Sequence, residues 1–282
     1  MAKVLSAQPL ADKILSDALA RSTQLRRRGI VPALALIRAG AGAGLEGDRC
    51  EEIAVRACTA AGVEAYCAFM PDTSRLKTNL DNINRDGSIH GVVFMRPLPS
   101  EAAEDLLRSN IDPYKDIDGA SLSSLAAILA GHGRAFLPCP VKAALDLIDY
   151  YGIELAGKRV ALVGRGLVIG KPLGILLLGH GATVTLCHDR DAAAASICKE
   201  SDIVICGDGT SALNGTGCFH EGQFVVDMGD RLMGEAGIGA VDTDEAYAAG
   251  ADVCPREGME AACYAMLALH TVQAAEIQNG LM

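Results

Sequence analysis

The chain has 282 residues, of which half are hydrophobic and none is tryptophan, and its net charge is -10. A chain of this length forms one large domain or two modest ones, with enough residues to bury a core. The acidic balance and the lack of a basic face argue against nucleic acid as a partner.

The N-terminal segment and the cysteines indicate the cellular compartment in which the protein is expected. Residues 1–9 do not have the pattern of a secretory signal, and no segment is apolar for long enough to span a bilayer. The ten cysteines include no C-x-x-C pair, which argues against a zinc or dithiol site. We therefore expect a cytoplasmic protein with buried free thiols, no metal and no membrane partner.

The first third of the chain alternates between helical and strand patterns. In chain order, the apolar spacing predicts a helix over 8–28, a strand over 32–37, a Gly/Ala loop over 40–44, a helix over 48–61, a strand over 63–69, a helix over 76–85 and a strand over 91–95. This alternation predicts an α/β fold with a parallel sheet and right-handed crossovers.

The segment 109–140 interrupts that alternation. It contains the polar run 110–119, a Ser/Ala-rich helix and the sequence Pro138-Cys139-Pro140. Irregular polar backbone between regular elements often carries active-site residues. A helix is predicted next, over 141–151.

The alternation resumes at Lys158. In chain order, strands are predicted over 159–163, 183–187, 203–206, 224–227 and 251–253, and a last helix over 260–276.

A glycine motif follows the first of these strands, with the sequence Gly164-Arg165-Gly166-Leu167-Val168-Ile169-Gly170-Lys171-Pro172. Gly164 permits a tight turn, and Gly166 lets backbone N–H groups approach a pyrophosphate at the start of a helix. Gly170 allows the helix to pack closely on the strand. The spacing is one residue longer than the usual fingerprint, but its position between a strand and a helix predicts a dinucleotide site.

The residues after the next strand bear on the choice of cofactor. An acid such as Asp189 accepts hydrogen bonds from a ribose 2′-OH and favours NAD, whereas Arg190 pairs with a 2′-phosphate and favours NADP. Both residues are present beside His188, so NADP and NAD stay open, and so does the alternative that these are solvated loop charges. The second glycine loop, 40–44, lacks the Lys-Ser/Thr of a P-loop, and we predict a crossover there rather than a phosphate site.

Together these motifs resemble the bifunctional methylenetetrahydrofolate dehydrogenase/cyclohydrolase family. The similarity runs in order through nearly the whole chain, at 91–93 with Pro97-Leu98-Pro99, 115–119, 137–139, 163–172, 182–188, 201–205 and 225–229. It implies two α/β domains with a cleft between them, the second with a Rossmann-type parallel sheet. Residues 1–140 with the C-terminal helix 260–282 would form the substrate domain, and 141–259 the dinucleotide domain. The resemblance also implies a homodimer.

The family reaction transfers a hydride from 5,10-methylenetetrahydrofolate to NAD(P) and then hydrolyses the methenyl product to 10-formyltetrahydrofolate. The resemblance implies that Asp118 hydrogen-bonds the pterin ring of a reduced folate or analogue, although a loop aspartate there also suits a cap of the next helix. It implies cofactor contacts at Gly164, Arg165, Gly166, Gly170, Pro172, His188, Asp189 and Arg190.

The folate side departs from the family at its catalytic pair. The family's Tyr-x-x-x-Lys, whose lysine is the general acid/base of the cyclohydrolase step, falls on Cys50 and Ala54. A shift of register does not restore the pair, because no lysine lies between Lys13 and Lys77. The loss of such a group costs about 10²–10⁴-fold in rate, so we expect the cyclohydrolase activity to be weak or absent.

Other folate-side positions also differ. The glutamine expected before Pro97-Leu98-Pro99 falls on Met95, with Arg96 beside it. The Pro-Gly-Gly-Val-Gly-Pro-Met-Thr loop before the last helix is replaced by residues 254–261, which include Arg256. We hypothesise that Arg96 and Arg256 bind a carboxylate of a different or rearranged substrate.

Three functions stay open at this point. The first is a methylenetetrahydrofolate dehydrogenase with little cyclohydrolase activity. The second is an NAD(P)-dependent enzyme that acts on another small imine or carbonyl compound. The third is a non-catalytic paralogue that binds nucleotide.

Overall fold

A computed structural model describes residues 2–40, 45–96, 98–131, 135–188, 192–207, 213, 215–229 and 241–282, with the side chains of 45–48 excepted. The chain divides into two compact units. Unit 1 comprises residues 1–10, 140–231 and 235–262, and unit 2 comprises 11–139, 232–234 and 263–282. No helix in the described ranges is long and apolar enough to cross a membrane.

Unit 2 contains a three-stranded parallel sheet in the order β2-β1-β3. The elements of this part of the chain are α1 (Gln8–Arg27), β1 (Ala33–Ala39), α2 (Leu45–Ala60), β2 (Glu64–Met70), a short 3-10 helix (Thr73–Arg75), α3 (Leu76–Arg85), β3 (Gly91–Phe94), α4 (Glu101–Asn110) and α5 (Leu122–Ala130). The central strand β1 is an almost continuous apolar run and is buried, whereas the edge strand β2 exposes Tyr66 and Phe69.

Unit 1 contains a five-stranded parallel sheet in the order β5-β4-β6-β7-β8. The remaining elements are α6 (Cys139–Tyr150), β4 (Arg159–Val163), α7 (Gly170–Gly179), β5 (Thr183–Cys187), α8 (Ala194–Lys199), β6 (Ile203–Cys206), β7 (Phe224–Asp227), α9 (Thr243–Ala248), β8 (Asp252–Cys254) and α10 (Arg256–Gln278). Strands β4, β6 and β7 carry Val, Ile and Leu on both faces and form the core of this sheet.

The predicted α/β class with two parallel sheets, the second of Rossmann type, is confirmed. Helices α4, α8 and α9 were not predicted, and the last helix begins at Arg256 rather than at residue 260. Gly258 weakens the helical signal near that start. It is needed because a Cβ there would lie 2.9 Å from the backbone nitrogen of Ala7.

The N-terminal residues pair with the sheet of unit 1, which the sequence did not predict. Leu5 donates its N–H to the carbonyl of Val253 at 2.7 Å, and Val253 donates to the carbonyl of Lys3 at 2.9 Å. The side chain of Leu5 is buried, whereas the neighbouring Val4 is 64% exposed. The segment therefore extends the sheet beyond β8.

This pairing predicts that shortening the side chains of Leu5 and Val4 has different effects on the free energy of unfolding. Leu5→Ala removes a buried side chain and is expected to lower the free energy of unfolding by about 2–4 kcal/mol. The matched control Val4→Ala is expected to change it by less than about 0.5 kcal/mol. Urea denaturation measures both values, and equal effects would contradict the pairing.

Candidate active site

The strand order of unit 1 predicts a crevice at the carboxyl ends of its strands, where the order reverses beside β4. The chain passes from β4 to β5 on one side and then to β6 on the other side of β4. Ligands of open parallel sheets bind outside the carboxyl ends of the strands, where the strand order reverses in this way. The glycine motif predicted from the sequence follows β4 and therefore lies at this position.

Two glycines of the motif are required by the backbone geometry. Gly164 has a φ of +106°, a backbone conformation that residues other than glycine rarely adopt. Its N–H donates to the carbonyl of Cys187 at 3.0 Å. A Cβ on Gly170 would lie 2.1 Å from the carbonyl oxygen of Gly164. The turn from β4 into α7 is therefore built so that the start of the helix lies directly against the end of the strand.

The start of α7 has the charge expected of an anion site. Its first turn contains no acidic residue, and the side chains of Arg165 and Lys171 nearby in sequence are exposed. The N–H of Lys171 donates to the carbonyl of Gly166 at 3.0 Å, and Pro172 is buried in the first turn of the helix. The positive end of the helix dipole favours an anion here, so these residues fit the pyrophosphate of a dinucleotide.

A third glycine at this crevice, Gly207, also makes a close contact, and the sequence analysis did not identify it. Gly207 follows β6, and a Cβ there would lie 2.9 Å from Cγ2 of Ile169. The signal was a glycine directly after a buried strand. At the end of β5, His188 is half-buried, whereas Asp189 and Arg190 lie outside the described residues.

The Lys-Asp-Ile-Asp-Gly motif of unit 2 forms a tightly bonded loop. Lys115 donates from Nζ to the carbonyls of Ile83 and Asp86 at 2.7 and 2.6 Å, and burial lowers the pKa of its amine. The buried carboxylate of Asp116 accepts the N–H groups of Ala120 and Ser121, each at 2.8 Å. Lys115 and Asp116 thus hold the loop in place.

Asp118 is the half-buried acid of the same loop. Its Oδ1 accepts the N–H of Cys139, the first residue of α6, at 3.0 Å. Burial raises the pKa of the Asp118 carboxyl, and the Cys139 N–H and the guanidinium of Arg96 act in the opposite direction. Ser121 caps α5 by accepting the N–H of Ser124, so the cap of that following helix is not Asp118.

Gly119 explains how Asp118 is positioned. It has a φ of +58°, and a Cβ there would lie 2.4 Å from the carbonyl oxygen of Phe136. The loop can therefore pack directly on the segment that precedes Cys139. His270 of α10 also contacts this loop, because its Nδ1 donates to the carbonyl of Ile117 at 2.8 Å.

The other predicted folate-side residues are mostly packed. Cys50 and Ala54 on α2 are buried, as is Met95 directly after β3. Leu98 is half-buried and Pro99 is exposed, whereas Pro97 lies outside the described residues.

Helix α2 contains no lysine, and the lysines in the described part of unit 2 lie on other elements. Of the lysines in unit 2, Lys13 and Lys77 are exposed on α1 and α3, and Lys115 is committed to backbone carbonyls. In unit 1, Lys142 pairs with Asp146 on its own helix, and Lys171 is exposed.

The two predicted arginines lie in different units. Arg256 is buried in the first turn of α10, within unit 1. Arg96 lies in unit 2 and donates from Nη2 to Oε1 of Glu104 at 2.6 Å. Arg108 donates to the same oxygen at 2.5 Å.

Glu104 and Arg108 were missed as site residues because α4 itself was not predicted. The available signal was Ser100, which accepts the N–H of Ala103, followed by two acids in the first turn of the helix.

Arg96 provides a test of the electrostatics at Asp118. Because its positive charge favours the ionised carboxylate, Arg96→Gln is expected to raise the pKa of Asp118 further. A carbon-13 NMR titration of the aspartate carboxyls measures the change. Arg75→Gln removes an exposed charge on the 3-10 helix and is the control. An equal shift in the two variants would contradict a direct effect of Arg96.

Comparison with known proteins matches both halves of the chain to domains of one family. Residues 5–118 match the tetrahydrofolate dehydrogenase/cyclohydrolase catalytic domain, and residues 138–279 match the NAD(P)-binding domain of the same family.

Similar full-length proteins include the bifunctional protein FolD of Carboxydothermus hydrogenoformans, 33% identical, and that of Alkaliphilus oremlandii, 31% identical. Each comparison covers 100% of both chains. Among solved structures, the bifunctional FolD enzyme of Campylobacter jejuni is 27% identical with a TM-score of 0.89, over 98% of this chain and 99% of that one.

Proposed function

Because the chain belongs to the tetrahydrofolate dehydrogenase/cyclohydrolase family, we propose that it is an NAD(P)-dependent 5,10-methylenetetrahydrofolate dehydrogenase with little or no cyclohydrolase activity. The observation that carries the proposal is a contrast between the units. The glycine turn at the start of α7 suits a dinucleotide, whereas α2 has Cys50 and Ala54 in place of the catalytic Tyr and Lys.

The cofactor, when bound, accepts a hydride. Gly164, Gly166 and Gly170 let the backbone approach its pyrophosphate, and the exposed Arg165 adds positive charge. Pro172, His188, Asp189 and Arg190 complete the proposed cofactor contacts. Both NADP and NAD are compatible with this set of residues.

The folate-side residues determine which of the two family reactions survives. Asp118 is the proposed pterin-binding acid, since its carboxylate is held by Cys139 and remains only half-buried. Hydride transfer depends on alignment of the two reacting rings. Hydrolysis of the methenyl product needs a proton-transfer group, and the described part of unit 2 offers no lysine on α2 for this role.

Further features of the proposal come from the family resemblance. Residues 1–140 with the C-terminal helix 260–282 would bind the folate, and 141–259 the cofactor. The proposed substrate-side positions are Cys50, Ala54, Met95, Arg96, Pro97, Leu98, Pro99 and Arg256. We also propose a cytoplasmic homodimer, for which light scattering of the purified protein is the test.

An absorbance assay of nicotinamide reduction tests the proposed activity. With 5,10-methylenetetrahydrofolate, the protein is expected to reduce NADP or NAD at a rate that is proportional to enzyme concentration. No reduction of either cofactor would rule out the proposal.

A second candidate is an NAD(P)-dependent enzyme that acts on another small imine or carbonyl compound. The observation that favours it is the altered polarity of the folate side, where Met95 is followed by Arg96 and its partner Glu104. Cofactor binding without turnover of the folate would support this candidate. It would equally fit a non-catalytic paralogue, and turnover of a small imine or carbonyl compound would separate the two.

A further inference from the structure

Four charged side chains of unit 2 form a chain of contacts between helix α4 and the loop that carries Asp118. Arg108 and Arg96 both donate to Oε1 of Glu104, at 2.5 and 2.6 Å. The guanidinium of Arg96 also faces the carboxylate of Asp118 and favours its ionised form. Positive and negative groups therefore alternate along the chain, and the two arginines balance the two acids.

The members of this chain on α4 and after β3 are shielded from solvent. The side chains of Arg96, Glu104 and Arg108 are 13%, 25% and 6% exposed. Apolar residues such as Leu107 and Ile111 line the same space. Charges interact strongly in such surroundings, so the removal of one group affects the next. Burial alone would raise the pKa of Glu104, but its contacts with the two arginines lower that pKa below its ordinary value, so Glu104 is ionised.

Arg108 also fixes the backbone of the Asp118 loop. Its Nη1 donates to the carbonyl of Ala120 at 2.6 Å, and the N–H of Ala120 donates to Oδ1 of Asp116 at 2.8 Å. Ala120 is therefore held through both its N–H and its carbonyl, two residues after Asp118. Helix α4 thus contacts the loop directly through Arg108, and it reaches the Asp118 carboxylate through Glu104 and its partner Arg96.

We propose that Glu104 is a positioning residue for substrate binding: it holds the guanidinium of Arg96 toward Asp118, whose carboxylate then accepts N–H groups of the pterin. An ionised carboxylate accepts hydrogen bonds at both oxygens, whereas a protonated one loses part of that capacity. The inference rests on the proposed function, because the pterin contact of Asp118 is part of it.

Two substitutions of Glu104 separate positioning from a direct effect of its charge. Glu104→Ala removes the acceptor that orients Arg96, whereas Glu104→Gln removes the negative charge and keeps an acceptor oxygen. A direct effect would lower the pKa of Asp118 in both variants, because a like charge is lost. Positioning predicts that Glu104→Ala raises this pKa and that Glu104→Gln does not.

A carbon-13 NMR titration of the aspartate carboxyls in the full chain measures this pKa, and Asp118→Asn identifies the signal. The groups that face Asp118 are Arg96, Asp116 and Cys139, and all three are kept in both Glu104 variants.

Two further variants serve as controls for the titration. Asp105→Ala removes an exposed acid from the same helix and is expected to leave the pKa of Asp118 unchanged. In an Arg96→Gln background, Glu104→Ala is expected to raise the pKa no further, because Glu104 acts through Arg96.

Calorimetric titration with tetrahydrofolate at several pH values measures the effect on binding. A raised pKa leaves Asp118 protonated at a higher pH. Glu104→Ala is therefore expected to weaken binding about tenfold between the wild-type and the raised pKa, and to have no effect well above both. A purely structural loss would weaken binding at every pH.

The two readouts distinguish failure of this inference from failure of the proposed function. The inference is overturned if Glu104→Ala leaves the pKa of Asp118 unchanged or lowers it, or if it weakens tetrahydrofolate binding equally at every pH. A wild-type protein that binds no tetrahydrofolate would contradict the proposed function and the pterin role of Asp118, and the NMR titration would still decide whether Glu104 positions Arg96.

Discussion

Replacing Gly170 with alanine is expected to lower the affinity for NADP and NAD by about 100-fold or more. The new Cβ would lie 2.1 Å from the carbonyl oxygen of Gly164, so the start of α7 must move away from the end of β4. A misplacement of about 1 Å in an active site costs about 10²-fold in rate, and we expect a loss of the same order in affinity when the backbone donors to the pyrophosphate are displaced. Calorimetric titration with each cofactor measures the loss, and thermal unfolding reports any change in stability.

Gly174 on the same helix provides the matched control. A Cβ at this position would meet Cδ2 of Leu162 at 3.6 Å and Cγ1 of Val184 at 3.9 Å, both ordinary contacts. Gly174→Ala is therefore expected to leave cofactor affinity unchanged and to stabilise the helix by about 0.5–1 kcal/mol. Unchanged binding in Gly170→Ala would show that this turn does not hold the cofactor.

Restoring the family's catalytic pair is expected to produce a gain of activity. The double variant Cys50→Tyr/Ala54→Lys places a phenol and an amine at the two positions of α2 where the family has them. A suitably placed general acid/base contributes about 10²–10⁴-fold, so hydrolysis of methenyltetrahydrofolate is expected to rise by a factor in this range. The measurement is the decay of methenyltetrahydrofolate absorbance after correction for the uncatalysed rate.

The packing cost of this variant requires its own control. Cys50 and Ala54 are 3% and 0% exposed, so larger side chains are expected to cost about 1–3 kcal/mol of stability. Cys50→Tyr/Ala54→Met carries a similar cost without the amine and is expected to show no gain. Equal hydrolysis by the two variants, or none by a folded lysine variant, would contradict the assigned role of position 54.

Much of the fold follows from local sequence patterns. The apolar runs at 159–163, 203–206 and 224–227 have the bounds of β4, β6 and β7, because short apolar runs bounded by turn residues suffice to define buried strands. The alternating run at 183–187 has the bounds of the mostly exposed edge strand β5. The turn at Gly164 was also predictable, because the residues that contact each other in it, Gly164 and Gly170, are close in sequence. Family resemblance then added the identities of the expected ligands.

Two of the missed features depend on contacts between distant parts of the chain. Leu5 and Val253 pair across almost the whole sequence, and nothing near either residue indicates the other. The contact of Glu104 with Arg96 is local in sequence, and it was missed because α4 was not predicted. Lys115 belongs to a family motif, yet it stabilises the end of α3, a role visible only in its hydrogen bonds to Ile83 and Asp86.

The ratio of the two family activities in the wild-type protein tests whether it is a dehydrogenase with little or no cyclohydrolase activity. The protein is supplied with 5,10-methylenetetrahydrofolate and its preferred cofactor, and reduced nicotinamide and methenyltetrahydrofolate are followed together by absorbance. The two products are expected to accumulate in equal amounts, and the methenyl compound is then expected to decay at its uncatalysed rate. Enzyme-dependent decay as fast as nicotinamide reduction, or no nicotinamide reduction at all, would contradict it.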